Sequence, residues 1–260
     1  MFDINILLRL TRMREFLPKL ILILPLIFLI SPQNIFTYKM ILIFCANLFL
    51  TAFIYAINDV EDAEDDYHDI KKRKRNPIAS SELTKKQGYL FSFSVLFIGL
   101  LLLLTISRLV FLIGFILTLI GFLYSWRSIR LKSIPIMDVF SHVICLGILQ
   151  FSTTYLAFHS FDVKSIPFLM IIIPYSLASC IYQQFRDLRV DKKAKIDNTL
   201  QRLGKFNLIR LFTVLIGVMI LGFVMLCVNL SIENIFLSVS IFLTSIFLFK
   251  CNRFFKLHFF

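Results

Sequence analysis

The residues of this chain best suited to chemistry are carboxylates at helical spacing. Asn58, Asp62 and Asp66 fall at i, i+4 and i+8. Positions four apart share one face of a helix, with Cβ atoms about 5–6 Å apart. Asp62 and Asp66 are therefore expected to point the same way, with Asn58 one turn deeper. They belong to a denser run, since seven of the sixteen acidic residues lie between Asp59 and Asp69. Gln183, Asp187 and Asp191 repeat the spacing 125 residues later. Each set closes a long apolar stretch and precedes a basic one. Carboxylates gathered at the mouth of a membrane helix repel one another unless a cation intervenes. Mg2+ is a hard cation that often binds a few carboxylates together with substrate phosphate oxygens. Two facing acidic helices thus predict a clamp for Mg2+ and a diphosphate. A single run reads equally as a solvated acidic cap. Two runs with the same spacing favour the clamp.

Basic residues beside both runs complete an anion site. Lys71, Lys72, Arg73, Lys74 and Arg75 follow the first run, and Arg127, Arg130 and Lys132 follow the fourth apolar stretch. Arg186, Arg189, Lys192, Lys193 and Lys195 surround the second run. Most of these serve topology and headgroup contact. Lys72, Arg75 and Arg130 are candidates to reach phosphate oxygens and stabilise a leaving diphosphate.

The elements that must position these groups are membrane helices. The chain is 58% hydrophobic with a mean hydropathy of +0.82, and no long polar segment offers room for a large soluble domain. Candidate spans are 16–32, 39–60, 88–106, 109–127, 134–157, 163–185, 207–229 and 232–250, each long enough to cross a core of about 30 Å. The expected fold is an all-α bundle of about eight transmembrane helices. It forms a single domain over 1–260, with halves at 16–127 and 134–250. Because each acid run ends the second span of a half, the halves suggest a parallel repeat with the site between them. Residues 1–15 read as an interfacial helix, with Ile6, Leu7 and Leu10 on one side and arginines on another.

The formal charge of +12 does not indicate nucleic acid, because the basic residues sit in short loops between spans. With the N-terminus inside, only Lys39, Arg108 and Lys164 of the 28 Lys and Arg residues fall outside. That distribution predicts both termini, and a polar cap holding the acid runs, on the cytoplasmic side. The five cysteines are scattered without a CxxC pair and read as small core residues. His142 reads as a hydrogen-bonded bundle residue and Trp126 as an interfacial anchor. Asp138, near the start of the fifth span, is a candidate to face the cavity on the acceptor side.

The string Asn58-Asp59-x-x-Asp62-x-x-x-Asp66 resembles the first signature of the UbiA-type intramembrane prenyltransferases. So does the basic loop that follows, ending Asn76-Pro77-Ile78-Ala79-Ser80-Ser81. Tyr124-Ser125 with Leu131-Lys132 is similar to the tyrosine–lysine segment after the family's fourth helix. Asp187-x-x-x-Asp191, then Thr199 and Leu203-Gly204, resembles its second signature. The resemblance runs over about residues 50–210. It implies that Asn58, Asp62 and Asp66 hold one Mg2+ and Asp187 and Asp191 another. It further implies that Lys132 contacts the diphosphate with Tyr124 nearby, and that Asp62, Asp66, Asp187, Asp191 and Lys132 are the catalytic set. The implied substrates are an isoprenyl diphosphate and a small acceptor, aromatic or lipid, in a membrane setting. The chain departs from the family pattern in three ways. Asn76 stands where Arg usually precedes the proline, Ser81 takes the place of a glycine, and eight spans are counted where nine are usual.

Other readings separate from this one by chemistry. A related enzyme would transfer a phosphoribosyl group to a polyprenyl phosphate, and the stretch from Asn58 to Ala79 is loosely similar to that branch. A CDP-alcohol phosphotransferase needs glycines and an Ala-Arg between its aspartates, which this chain lacks. A cation carrier, or a silent homologue binding lipid or cations, would use the same acids without turnover.

Overall fold

The structure is a computed structural model that describes residues 3–20, 31–34, 37–193, 199–203 and 205–229, apart from the side chains of 18–20, 32, 186–193, 205, 206 and 229. The described residues are helical, with no strand among them. Two short helices, α1 (Ile4–Leu10) and α2 (Met13–Leu20), precede the bundle. Then come α3 (Tyr38–Asp66), the short α4 (Ile70–Arg75), α5 (Lys85–Ile106) and α6 (Arg108–Ser125). The composite α7 (Met137–Phe158) is followed by α8 (Ile166–Lys193), the one-turn α9 (Thr199–Arg202) and α10 (Lys205–Asn229). Six helices, namely α3, α5, α6, α7, α8 and α10, are long and apolar enough to cross a membrane. Of the other two expected spans, residues 21–30 of the first and all of the eighth lie outside the described residues.

Helix α3 is the axis of the fold. Its 29 residues reach about 43 Å at 1.5 Å per residue, more than a hydrocarbon core of about 30 Å. The apolar part from Tyr38 to Ile57 fills that thickness, and the acid run from Asn58 continues beyond it on the same rigid rod. Ile43, Ala46 and Leu50 of α3 are buried against Leu103 of α5, Val110 and Leu117 of α6 and Ala157 of α7. Close approach is possible because the facing residues are small. A Cβ on Gly99 would stand 2.8 Å from Leu50, and one on Gly88 2.6 Å from Ile78 and 2.8 Å from Val60. Such contacts, rather than a hydrophobic drive, hold helices together in lipid.

Polar rungs fix the register between α3 and α7. Thr153 Oγ1 donates to Asn47 Oδ1 at 3.2 Å, and Gln150 Nε2 donates to Thr51 Oγ1 at 3.1 Å. Membrane hydrogen bonds of this kind average only about 0.6 kcal/mol each, so they specify alignment more than they add stability. Just before these rungs, α7 widens into a π-helix over Val143–Leu149. Helices α5 and α6 form a hairpin through one residue, Ser107, whose Oγ caps α6 by accepting from the Val110 N–H at 3.1 Å.

The ends of α3, α6 and α8 and the starts of α5, α7 and α10 are the sequence positions that flank the polar loops. Helix α3 and helix α8, the two longest at 29 and 28 residues, are the ones that carry the acid runs. The N-terminal segment packs its apolar side on the bundle. Arg12 at φ 51° breaks the segment into two. Leu10, fully buried, packs with Ala56 and Leu83, and Phe16 stacks on Tyr55 at 5.4 Å. Trp126 caps the end of α6, and its ring lies 5.4 Å from that of Phe122. The four described cysteines, Cys45, Cys145, Cys180 and Cys227, are free.

The loop from Asn76 to Leu83 explains one departure from the family pattern. Pro77 O accepts from the N–H groups of Glu82 and Leu83 at 2.9 and 3.0 Å, and the turn this closes puts Ser81 at φ 64°. Left-handed backbone costs an L-residue about 1–2 kcal/mol, and glycine avoids that cost. Thr84 then opens α5 with a capping box to Gln87. Ser81→Gly is expected to stabilise the protein by ~1 kcal/mol or less, glycine's greater freedom when unfolded offsetting part of the gain. The check is the thermal midpoint in detergent. A lower midpoint than wild type contradicts the account.

Candidate active site

The acid run has two working faces. The first meets the loop between α6 and α7. Lys132 Nζ lies 3.1 Å from Asn58 Oδ1 and 2.6 and 2.5 Å from the two oxygens of Asp62. Ser125 Oγ also donates to Asn58 Oδ1, at 3.1 Å. Arg130 bridges Asp62 at 3.2 Å and Asp65 at 2.6 Å. The loop reaches this position through a left-handed residue, Arg130 at φ 47°, and a 3-10 turn over Leu131–Ser133. Burial pushes the Lys132 ammonium below the ordinary lysine value, against the pull of Asp62. Arg127 anchors the start of the loop. Its backbone N–H donates to Glu61 Oε2 at 3.2 Å, its Nε to Glu61 O at 3.0 Å, and its guanidinium pairs with Glu64 and Asp65. Tyr89 donates its hydroxyl to the other oxygen of Glu61.

The second face meets the N-terminal segment and the loop after α4. Asp59 is fully buried and pairs with the Arg12 guanidinium, whose Nε lies 2.9 Å from Oδ1. Arg75 lies 3.8 Å from Asp59 and 3.5 Å from Asp66. Asn76, also fully buried, uses every polar atom of its side chain. Its Nδ2 donates to Asp66 Oδ2 at 3.0 Å and to Asp59 O at 2.8 Å, while Oδ1 accepts from the N–H groups of Ile78 and Ala79 at 3.0 and 3.4 Å. Arg9 ties the same loop down, donating to Lys74 O at 3.0 Å and pairing with Glu82.

Asn58, Asp62, Arg130 and Lys132 are thus brought together. Asp66 stands apart from them, 3% exposed and turned to Arg75 and Asn76. An α-helix advances about 100° per residue, so Asn58 and Asp66 are about 80° apart, enough for two different loops to claim them. Lys72 donates its backbone N–H to Asp69, which caps α4. The amides of Lys72 and Lys71 hold the Asp69 carboxyl below its usual value. Tyr124 is half-buried on the last turn of α6. Asp187 and Asp191 fall on the last turns of α8, and their side chains lie outside the described residues. Asp138, the candidate for the acceptor side, has both carboxylate oxygens engaged within the bundle. It is 1% exposed and hydrogen-bonded to Gln184 and Thr199.

Three of these partners escape a sequence reading. Arg12 carries no local sign of Asp59, 47 residues on. Asn76 stands out only as a departure from the family pattern. Glu61 needs Tyr89 from α5 and Arg127 from the loop after α6 before its burial makes sense.

Among the described residues, no group of three His, Cys, Asp or Glu side chains is arranged to hold a metal ion. The donor chemistry nonetheless fits one. Three hard oxygens, from Asn58 and Asp62, converge on a single cation, the Lys132 ammonium. Oxygen donors of this type suit Mg2+.

The model of the UbiA prenyltransferase family matches residues 19–258. A UbiA homolog from Archaeoglobus fulgidus, in its structure bound to GPP and Mg2+, superposes with a TM-score of 0.73 at 21% identity, covering 95% of this chain and 87% of that one. The same homolog bound to DMAPP and Mg2+ gives 0.70 at 21% identity with the same coverage. A structure concerned with digeranylgeranylglyceryl phosphate synthase in membranes gives 0.69 at 20% identity, covering 98% of this chain and 88% of that one. At these identities the structural likeness shows the fold. No curated protein matches the sequence.

The Arg12–Asp59 pair yields a direct test. Removing one partner of a buried ion pair costs about 3–5 kcal/mol, because the other charge is left uncompensated. Arg12→Ala is expected to destabilise the protein by about that amount. Asp59→Asn in the same chain is expected to recover part of it, so the double-mutant cycle is strongly non-additive. Unfolding in detergent measures all four corners, and additive effects contradict the pairing.

Proposed function

The chain belongs to the UbiA prenyltransferase family, and from that premise we propose that it moves an isoprenyl group from a polyprenyl diphosphate to a small aromatic or lipid acceptor. The observation that carries this reading is the convergence of Asn58 and Asp62 on Lys132, with Arg130 beside them and Arg75 on the neighbouring face. It is a site rich in oxygen donors and in phosphate-binding cations, set where an apolar helix leaves the membrane core. Bound GPP and DMAPP with Mg2+ in the Archaeoglobus fulgidus homolog support the substrate class.

In this proposal Asn58 and Asp62 from the first run, and Asp187 and Asp191 from the second, hold divalent cations, while Asp66, expected with them from the spacing, stays with Arg75 and Asn76. Bound Mg2+ would neutralise phosphate charge. Lys132 and Arg130 donate to phosphate oxygens and carry positive charge to where the leaving pyrophosphate becomes more anionic. Preorganised donors of this type commonly account for a 10²–10³-fold effect each, in order-of-magnitude terms. Arg75 and Lys72, both on α4, extend the positive field from that side. The carbon–oxygen bond to the diphosphate breaks with its electron pair on oxygen, the acceptor bonds to the allylic carbon, and the acceptor then loses a proton. The apolar bundle keeps water from the allylic cation. We place the acid mouth and both termini on the cytoplasmic side, because the Lys and Arg residues gather there in a single-domain arrangement of eight spans.

The test is pyrophosphate release from labelled polyprenyl diphosphates by the purified protein with Mg2+ and an acceptor panel. Asp62→Ala and Asp187→Ala are expected to lower turnover by about 100-fold or more. Lys132→Met is expected to raise KM for the diphosphate as well as lower kcat. Undiminished release from the Asp62→Ala variant contradicts the proposal, and turnover only with a phosphorylated sugar donor redirects it to phosphoribosyl transfer.

A further inference from the structure

Among the described residues, one buried carboxylate lies outside the acid runs, and both its oxygens are fully engaged. Asp138, at the start of α7, is 1% exposed. Its Oδ1 accepts from the Val139 N–H at 2.7 Å and from the Thr199 hydroxyl. Its Oδ2 accepts from the Thr199 N–H at 2.9 Å and from Gln184 Nε2 at 2.8 Å. Four donors meeting two oxygens is an arrangement only an ionised carboxylate satisfies, since it is the one side-chain group of this shape that accepts throughout.

The partners of Asp138 bracket the second acid run in sequence. Gln184 comes three residues before Asp187, and Thr199 eight residues after Asp191. The ring closes on itself, because Gln184 Oε1 accepts from the Leu200 N–H at 2.9 Å. It also reaches the other side of the site. Thr199 Oγ1 accepts from the Ile136 N–H at 2.7 Å. Ile136 ends the loop that carries Arg130 and Lys132, and it sits at φ 75°, a conformation that β-branched residues rarely adopt. Strain of this kind persists where surrounding bonds over-determine the backbone, and it gathers at functional sites.

We propose that Asp138 is a positioning residue: one carboxylate ties both ends of the segment from Gln184 to Thr199 to the loop that brings Lys132 to Asn58 and Asp62. The second acid run is thereby set in register with the first. The inference rests on the reading of the acid runs as a site for metal and diphosphate. It also explains why no oxygen of Asp138 is left to meet an acceptor. Asp138→Asn is close to isosteric, yet its NH2 would face the Gln184 amide and the Thr199 N–H, donor against donor.

The experiment measures Mn2+ binding to the purified full chain with inorganic pyrophosphate, from the spectroscopic signal of free Mn2+, beside the thermal midpoint of each variant. Changes in outer partners of metal sites typically weaken affinity 10–100-fold. Asp138→Asn is therefore expected to raise half-saturating Mn2+ about tenfold. Thr199→Val, which removes one hydroxyl, is expected to raise it about threefold. Adding Gln184→Glu to Asp138→Asn lets the new amide donate to a carboxylate, and should recover about threefold of the loss. Wild-type Mn2+ binding in folded Asp138→Asn overturns the proposal. If that variant does not fold, wild-type binding in Thr199→Val overturns it. A packing role alone would lower the midpoint and leave Mn2+ affinity unmoved. Asp187→Asn separates the positioning role from the metal-site reading. If it binds Mn2+ normally, the metal-site reading fails, whereas if it alone loses binding, the positioning role fails.

Discussion

The constraint on which the polar end of this molecule depends is charge neutralisation. Seven carboxylates between Asp59 and Asp69 sit at the end of a helix that has just crossed an apolar core. Removing one partner from a buried pair costs several kcal/mol, so the acids that leave solvent each need a cation or a set of donors. The chain supplies these from distant elements. Arg12 comes from the N-terminal segment, Arg75 from the end of α4 with Asn76 just after it, and Arg127, Arg130 and Lys132 from the loop after α6. Each cation drags its own loop or helix onto α3. The acid run therefore acts as the assembly point for three segments.

Within that constraint the two faces of the run do different work. Asp59 and Asp66 are almost wholly buried and hold scaffold, with Asn76 locking the loop that returns to α5. Asn58 and Asp62 are less buried and meet a mobile type of cation, a lysine on a flexible stem, which can exchange one anionic partner for another. The proposed diphosphate site uses exchangeable pairing on one face and fixed pairing on the other.

Hydropathy made the six described spans legible, because the signal is local and repeats over twenty residues. The end of α3 was legible too, since acid follows apolar sequence on one helical rod. Contacts between segments were not. Helical spacing put Asp66 beside Asp62, but the drift of an α-helix over eight residues let Arg75 and Asn76 take Asp66. Arg12 read as part of an interfacial helix, and nothing within its own segment marks Asp59. Asp138 read as a cavity residue, since neither Gln184 nor Thr199 announces its approach from 46 and 61 residues away. Ser81 stood out in the sequence only as a residue in a glycine's place. The backbone shows instead that the turn keeps its left-handed residue at φ 64°.

On the proposed function, Asn58 and Asp62 exchange Lys132 for a metal when a diphosphate arrives. The most direct measurement is a crystal structure of the full chain with Mn2+ and geranyl diphosphate, using anomalous scattering to locate the metal. The expected result is an Mn2+ peak bonded to oxygens of Asn58 and Asp62, with Lys132 Nζ moved onto a phosphate oxygen. Mn2+ and diphosphate bound elsewhere, with Lys132 still seated on Asp62, would contradict it.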